Sequence, residues 1–121
     1  MVKTQGLTHI HLAVHDLARA VAFYQTVFGM VDTGRGDEAM VFLRTPGRMD
    51  TLTLRIARPD EATGAGGGVD HFGFRLAEPG DLDDAVVQVI RGGGRLIEQG
   101  EHAPGVRYAY VADPEGYVIE L

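Results

Sequence analysis

Three side chains of this sequence, His9, His71 and Glu120, have the chemistry and the spacing to surround one metal ion, and a fourth, His11, shares their face. Each sits in a stretch whose character alternates residue by residue. In residues 8–14, Ile10, Leu12 and Val14 make an apolar face and His9, His11 and Ala13 the opposite one. In residues 69–76, Phe72, Phe74 and Leu76 oppose His71, Gly73 and Arg75. At the C-terminal end Tyr117, Ile119 and Leu121 oppose Val118 and Glu120. Successive side chains of a strand point to opposite faces, so all four residues lie on faces their apolar neighbours leave free. Imidazoles and a carboxylate, with coordination positions left for water or substrate, suit Fe(II), Mn(II), Ni(II), Co(II) or Zn(II). One divalent metal per site is expected, acting as Lewis acid and template.

The surrounding elements repeat. Asp16 is placed to cap a helix over residues 17–28, with Leu17, Val21, Tyr24 and Phe28 at helical spacing and Gly29 closing it. Residues 39–44 and 51–56 read as a hairpin about a turn at 45–49, with Leu52, Leu54 and Ile56 inward. Residues 59–68 have the composition of a linker. The same order then returns. A strand over 69–76 precedes a helix from Asp81 with Leu82, Val86 and Ile90 in register, closed by Gly92, Gly93 and Gly94. A hairpin about Asp113-Pro114-Glu115-Gly116 follows, where Pro presets φ and Gly supplies a permissive backbone. His71 therefore stands in the second copy where His9 stands in the first. The expected fold is α+β, one domain over residues 1–121. Module one spans about 6–58, the linker about 59–68 and module two about 69–121. Two βαβββ modules in tandem form a curved mixed sheet with helices on the outer face. His9, His11, His71 and Glu120 share the concave side, with Arg55 and Arg75 as rim charges. Tyr108 and Tyr110 share one strand face, His102 falls in a loop containing Gly and Pro, and His15 is exposed.

With 45% hydrophobic residues in 121, the chain can bury one core, and its 17 glycines point to many tight turns. A formal net charge of −6 excludes the basic surface that nucleic acid or an anionic membrane requires. No cysteine is present, so there is neither a disulfide nor a thiolate nucleophile, in keeping with a cytoplasmic setting. No apolar run reaches the length of a signal peptide core or a membrane span. A cup built from two short modules leaves sheet edges open, which predicts a homodimer.

These residues resemble the vicinal oxygen chelate superfamily of glyoxalase I, extradiol ring-cleaving dioxygenases, fosfomycin-resistance enzymes and bleomycin-resistance proteins. The matching pieces are 8–14 with Asp16-Leu17, Phe23-Tyr24, Phe28-Gly29-Met30, Val69-Asp70-His71 and the ending from Asp113 to Glu120. The resemblance covers essentially the whole chain and implies His9, His71 and Glu120 as metal ligands, either within one chain or shared across a dimer, His9 of one chain then meeting His71 and Glu120 of another. Gly100-Glu-His102 followed by Tyr110-Val-Ala-Asp113-Pro-Glu-Gly116 and Glu120 is similar to the extradiol dioxygenase pattern. That pattern implies Fe(II), a catechol-like substrate with two adjacent oxygens, and Tyr110 and His102 as catalytic groups. Those enzymes place an acid–base histidine in the region of residues 51–58, where this chain has none, and His11 is the candidate to replace it. The alternatives the resemblance leaves are a lyase, isomerase or epimerase working through an enediolate, a fosfomycin-type thiol transferase, and a metal-free drug-binding protein. Thr53 falls where glyoxalase I supplies a glutamate.

Overall fold

A computed structural model describes residues 1–121. Strand β1 (Ile10–Val14), helix α1 (Leu17–Phe28) and strands β2 (Val31–Asp32), β3 (Met40–Arg44) and β4 (Leu52–Ile56) make the first module. Strand β5 (Phe72–Gly73), helix α2 (Leu82–Arg91) and strands β6 (Arg95–Ala103), β7 (Val106–Ala112) and β8 (Val118–Glu120) make the second. The tandem βαβββ fold is the one expected. Its strands form two four-stranded mixed sheets of identical topology, one per module, β1-β4-β3-β2 and β5-β8-β7-β6. In each half the first strand pairs parallel with the last, and the remaining pairings are antiparallel.

The register makes the repeat quantitative. In the first half His11 pairs with Thr53, and Thr53 with Phe42. In the second half Gly73 pairs with Glu120, and Glu120 with Tyr110. With His9 matched to His71, Gly73 answers to His11, Glu120 to Thr53 and Tyr110 to Phe42. One core cluster joins both modules, drawing Leu12, Phe23 and Leu54 from the first and Val86, Val111 and Ile119 from the second.

The turn at 113–116 fastens the second module to the first. Asp113 is buried, and its Oδ2 accepts a hydrogen bond from the Tyr24 hydroxyl of α1 at 2.7 Å. Its Oδ1 accepts from the backbone N–H groups of Glu115 and Tyr117, both at 2.9 Å. Burial pushes the Asp113 carboxyl up, opposed by those donors, and pushes the Tyr24 hydroxyl well above its ordinary range. Glu115 Oε1 accepts from the N–H of Asp16 at 2.8 Å, while Asp16 caps α1 by accepting from the Arg19 N–H at 2.9 Å. Tyr117 donates to the Ala13 carbonyl at 2.7 Å. The turn that sets the register of Glu120 is thus also the clamp between modules.

Several expected details differ. The buried face of α1 is Ala20, Phe23 and Tyr24, rotated from the stripe led by Leu17 and Val21. The rotation follows from a second contact: a Cβ on Gly92 would lie 2.4 Å from Val27, and one on Gly94 3.0 Å from Phe23. Both modules therefore pack on α1, and only glycine permits the approach. In α2, Val89 is buried and Ile90 exposed. At about 100° per residue, Val89 returns to within roughly 20° of Leu82, and Ile90 overshoots by roughly 80°. Ile56, expected inward, is 48% exposed on the last rung of the β1–β4 ladder. Ala57 takes the inner place, donating its N–H to the Val14 carbonyl at 2.8 Å. The strand expected over 69–76 is ladder-paired only at Phe72–Gly73, because β8, its partner, is itself three residues long. Residues 59–68 are docked rather than free: Glu61 pairs with Arg55, Thr63 donates to Glu115 at 3.1 Å, and a short 3₁₀ turn spans Gly64–Gly66. His102 lies in strand β6, not in a loop.

Candidate functional site

The second half brings four of the predicted residues together. Glu120 on β8 stands between two imidazoles: His71 Nε2 is 3.2 Å from Oε2, and His102 Nε2 is 2.7 Å from Oε1. Asp70 holds the other side of the His71 ring, with Oδ2 2.6 Å from Nδ1. The Asp70 hydrogen bond, with a smaller contribution from Glu120, raises the His71 pKa. Tyr110, opposite Glu120 in the ladder, sets its ring edge-on to His71 with centroids 5.1 Å apart. Burial first, then the Glu120 charge, pushes the Tyr110 hydroxyl up, so it keeps its proton and can donate. His102 stacks on Tyr108 at 4.2 Å, and Tyr108 donates to Glu98 at 2.8 Å. A cavity of about 820 Å³ opens beside this cluster, lined among others by Arg75, His102, Tyr108 and Glu120.

The backbone beneath this cluster explains its placement. Gly73, the ladder partner of Glu120, would put a Cβ 3.1 Å from the Glu120 carbonyl oxygen, so a side chain there would press on β8 by a few tenths of an ångström. Glu120 and His71 are each about a third exposed, accessible to a small ligand and still partly desolvated.

His9 and His11 belong to the first half. His9 has its Nδ1 2.7 Å from the Thr8 hydroxyl, and it shares a cleft with Phe72, Gly73 and Phe74 of the second module. His11 lies on the concave face beside Arg55. Burial, then the Arg55 charge, then His9 lower its pKa, which favours the neutral imidazole. Thr53, 1% exposed, occupies the place that Glu120 holds in the second half. No group of three His, Asp or Glu side chains is arranged to hold a metal ion within one chain. His71 and Glu120 are together; His9 is not with them. Arg55 is no free rim charge, because Glu61 pairs with it and is itself held down to about 2, chiefly by that hydrogen bond. His15 Nε2 lies 2.9 Å from the Glu61 carbonyl oxygen, which fixes an otherwise exposed ring.

Two contributors escaped the reading of the sequence. Asp70 orients His71, and its signal was its position immediately before an imidazole on a strand. Glu98 anchors Tyr108, and nothing in its local pattern marks it, since β6 is exposed along almost its whole length. No helix is long and apolar enough to cross a membrane.

A doubled βαβββ frame with a His–Glu pair on its concave face defines a class of small-molecule binding proteins and enzymes. Comparison with known proteins makes that class specific. The family model of the Glyoxalase/Bleomycin resistance protein/Dioxygenase superfamily matches residues 6–121, and the chain belongs to that superfamily. A metapyrocatechase of Geobacillus stearothermophilus is 28% identical over 95% of this chain, but the match covers 33% of that protein. The chain thus spans about a third of the length of the metapyrocatechases it matches. A lactoylglutathione lyase of Neisseria meningitidis is 29% identical over 95% of this chain and 88% of its own length. Among solved structures, a fosfomycin resistance protein of Listeria monocytogenes superposes with a TM-score of 0.78 at 21% identity, over 98% of this chain and 93% of that one, which shows the shared fold.

Proposed function

We propose that this chain is a divalent-metal-dependent cytoplasmic enzyme acting on a small molecule with two adjacent oxygens, and that its reaction is extradiol-type cleavage of a catechol-like diol. The observation that carries this reading is the pair His71 and Glu120. Their ligating atoms face each other at 3.2 Å, and Asp70 occupies the ring nitrogen that a metal would not use. A carboxylate behind a ligating histidine fixes its tautomer and orientation, and that support stands ready here. His9 is the third ligand. Since one chain does not bring it to the pair, the partner chain of a homodimer supplies it.

Iron(II) fits two imidazoles and one carboxylate, with Mn(II), Ni(II), Co(II) and Zn(II) as alternatives. Such a metal supplies Lewis acidity, a template for two neighbouring oxygens and, for iron, access to dioxygen chemistry. The chain's own residues do the rest. Tyr110 offers a protonated hydroxyl next to Glu120, placed to stabilise charge developing on a substrate oxygen. His102 holds Glu120 Oε1 and faces the large cavity, where it can relay a proton. His11, beside His9 in the cavity wall of the first half, is placed to act as a base.

A second reading rests on a different observation: the lactoylglutathione lyase match covers 88% of that protein, against 33% for the metapyrocatechase. It makes the chain a lyase or isomerase working through an enediolate. Thr53 argues against it, since the first half offers no second carboxylate at the place of Glu120.

Oxygen uptake by anaerobically reconstituted Fe(II) protein across a panel of catechols decides between them. Turnover with one member is expected, and Tyr110→Phe should slow it about 100-fold with iron content unchanged. If no diol consumes oxygen, and Mn(II), Ni(II) or Zn(II) protein isomerises an α-hydroxycarbonyl or a thiohemiacetal, the lyase reading replaces this one. Protein that takes up no metal at all would be a metal-free binder.

A further inference from the structure

The concave face of the first half holds a separate cavity of about 390 Å³, lined among others by His9, His11, Thr33, Arg35, Arg44 and Thr53. None of its nine lining residues is acidic, in a chain whose net charge is −6. The positive charge is therefore local to this pocket. Arginine ion pairs elsewhere use Arg19, Arg55, Arg58 and Arg107; Arg35 and Arg44 have no carboxylate partner. Two nearby carboxylates are already engaged: Asp32 Oδ1 accepts from the Gly34 N–H and Asp50 Oδ1 from the Thr45 N–H, both at 2.8 Å. The Oγ1 of Thr33 is buried without any hydrogen-bond partner. Leaving a buried hydroxyl unpaired is costly, and such groups are commonly completed by a ligand or water.

The register ties the pocket to the proposed ligand His9. Ile10 pairs with Leu52, and Leu52 with Leu43. The next positions, His9, Thr51 and Arg44, then follow one another across three strands on the concave face. Two strand spacings amount to about 10 Å between the backbones of His9 and Arg44, a distance one small molecule can span with the reach of an arginine side chain.

We propose that this cavity recognises an oxyanion, a carboxylate or a phosphate, carried by the substrate. Arg35 and Arg44 hold its charge, and Thr33 lies in the wall with them. The substrate is then an anionic molecule whose oxygen pair lies towards His9 and whose acid group lies towards β2 and β3. This deepens the metal-enzyme reading and rests on it for the statement that the anion belongs to the substrate.

Isothermal titration of the purified full chain, metal-loaded and metal-free, with benzoate, inorganic phosphate, catechol and 3,4-dihydroxybenzoate tests it. Benzoate or phosphate should bind both forms, and the tighter of the two identifies the oxyanion. If it is the carboxylate, 3,4-dihydroxybenzoate should bind the metal-loaded form at least about tenfold more tightly than catechol. Arg35→Ala and Arg44→Ala should each weaken the preferred anion about tenfold, and the double variant should abolish its binding. Arg48→Ala, exposed and outside the cavity, should change nothing. Anion binding that survives in the double variant, or no binding of either anion, overturns the inference. Its failure is separable from that of the metal reading: metal content in His71→Ala reports on the site alone, and anion binding to the metal-free form reports on the pocket alone.

Discussion

The two halves of this molecule share a backbone and divide the chemistry. At matched places in the ladders the first half carries His11, Thr53 and Phe42, and the second carries Gly73, Glu120 and Tyr110. Only the imidazoles of His9 and His71 are kept in both. The second half has no side chain at Gly73, beside Glu120, and gathers Asp70 and His102 around the His71–Glu120 pair. The first half has a buried hydroxyl at Thr53 in place of the carboxylate and collects unpaired arginines instead. Two matched walls are thus differently furnished, and the proposed reading draws two of its three ligands from the second half and the third, His9, together with the anion pocket, from the first.

Substitution at the matched pair breaks this comparison most sharply. Glu120→Ala should lose stoichiometric metal and lower turnover by more than about 100-fold, a larger effect than loss of a supporting contact. Thr53→Ala, at the equivalent position, should leave metal content unchanged. Elemental analysis of both variants checks the contrast, and equal metal in both would refute the division of labour. A smaller effect is expected at the clamp that sets one half against the other. Tyr24→Phe removes one donor from the buried Asp113 and should cost about 1–3 kcal/mol, read from urea or thermal unfolding. Metal affinity should follow stability there rather than fall independently. An unchanged midpoint would show that Asp113 holds the turn without α1.

Much of this division was legible in the sequence. Strand parity alone placed His9, His11, His71 and Glu120 off the apolar faces, and Asp16 and Gly29 bounded α1 at the residues the structure gives. The turn chemistry of Asp113-Pro114-Glu115-Gly116 set the register that aims Glu120. What was hidden depends on packing between modules. Nothing local distinguishes Val89 from Ile90, and the inward rotation of α1 comes from Gly92 and Gly94 of the other module. The second role of Asp113 and Glu115, as clamp, needs partners about ninety or more residues away in the chain, at Tyr24 and Asp16. The neighbours of Glu120 were visible as residue types, but the pairing of β6 with β7 that carries His102 beside it was not.

In the proposed metal enzyme each site is expected to join the two kinds of wall from different chains. Mixing His9→Ala chains with Glu120→Ala chains and isolating the mixed dimer tests it directly, by metal stoichiometry. In a shared-site dimer one interface site receives both substitutions and the other neither, so the mixed dimer should hold one metal and about half the wild-type turnover, while each variant homodimer holds none. A mixed dimer without metal would mean that each chain builds its own site, and a monomeric, fully metallated protein would contradict the account outright.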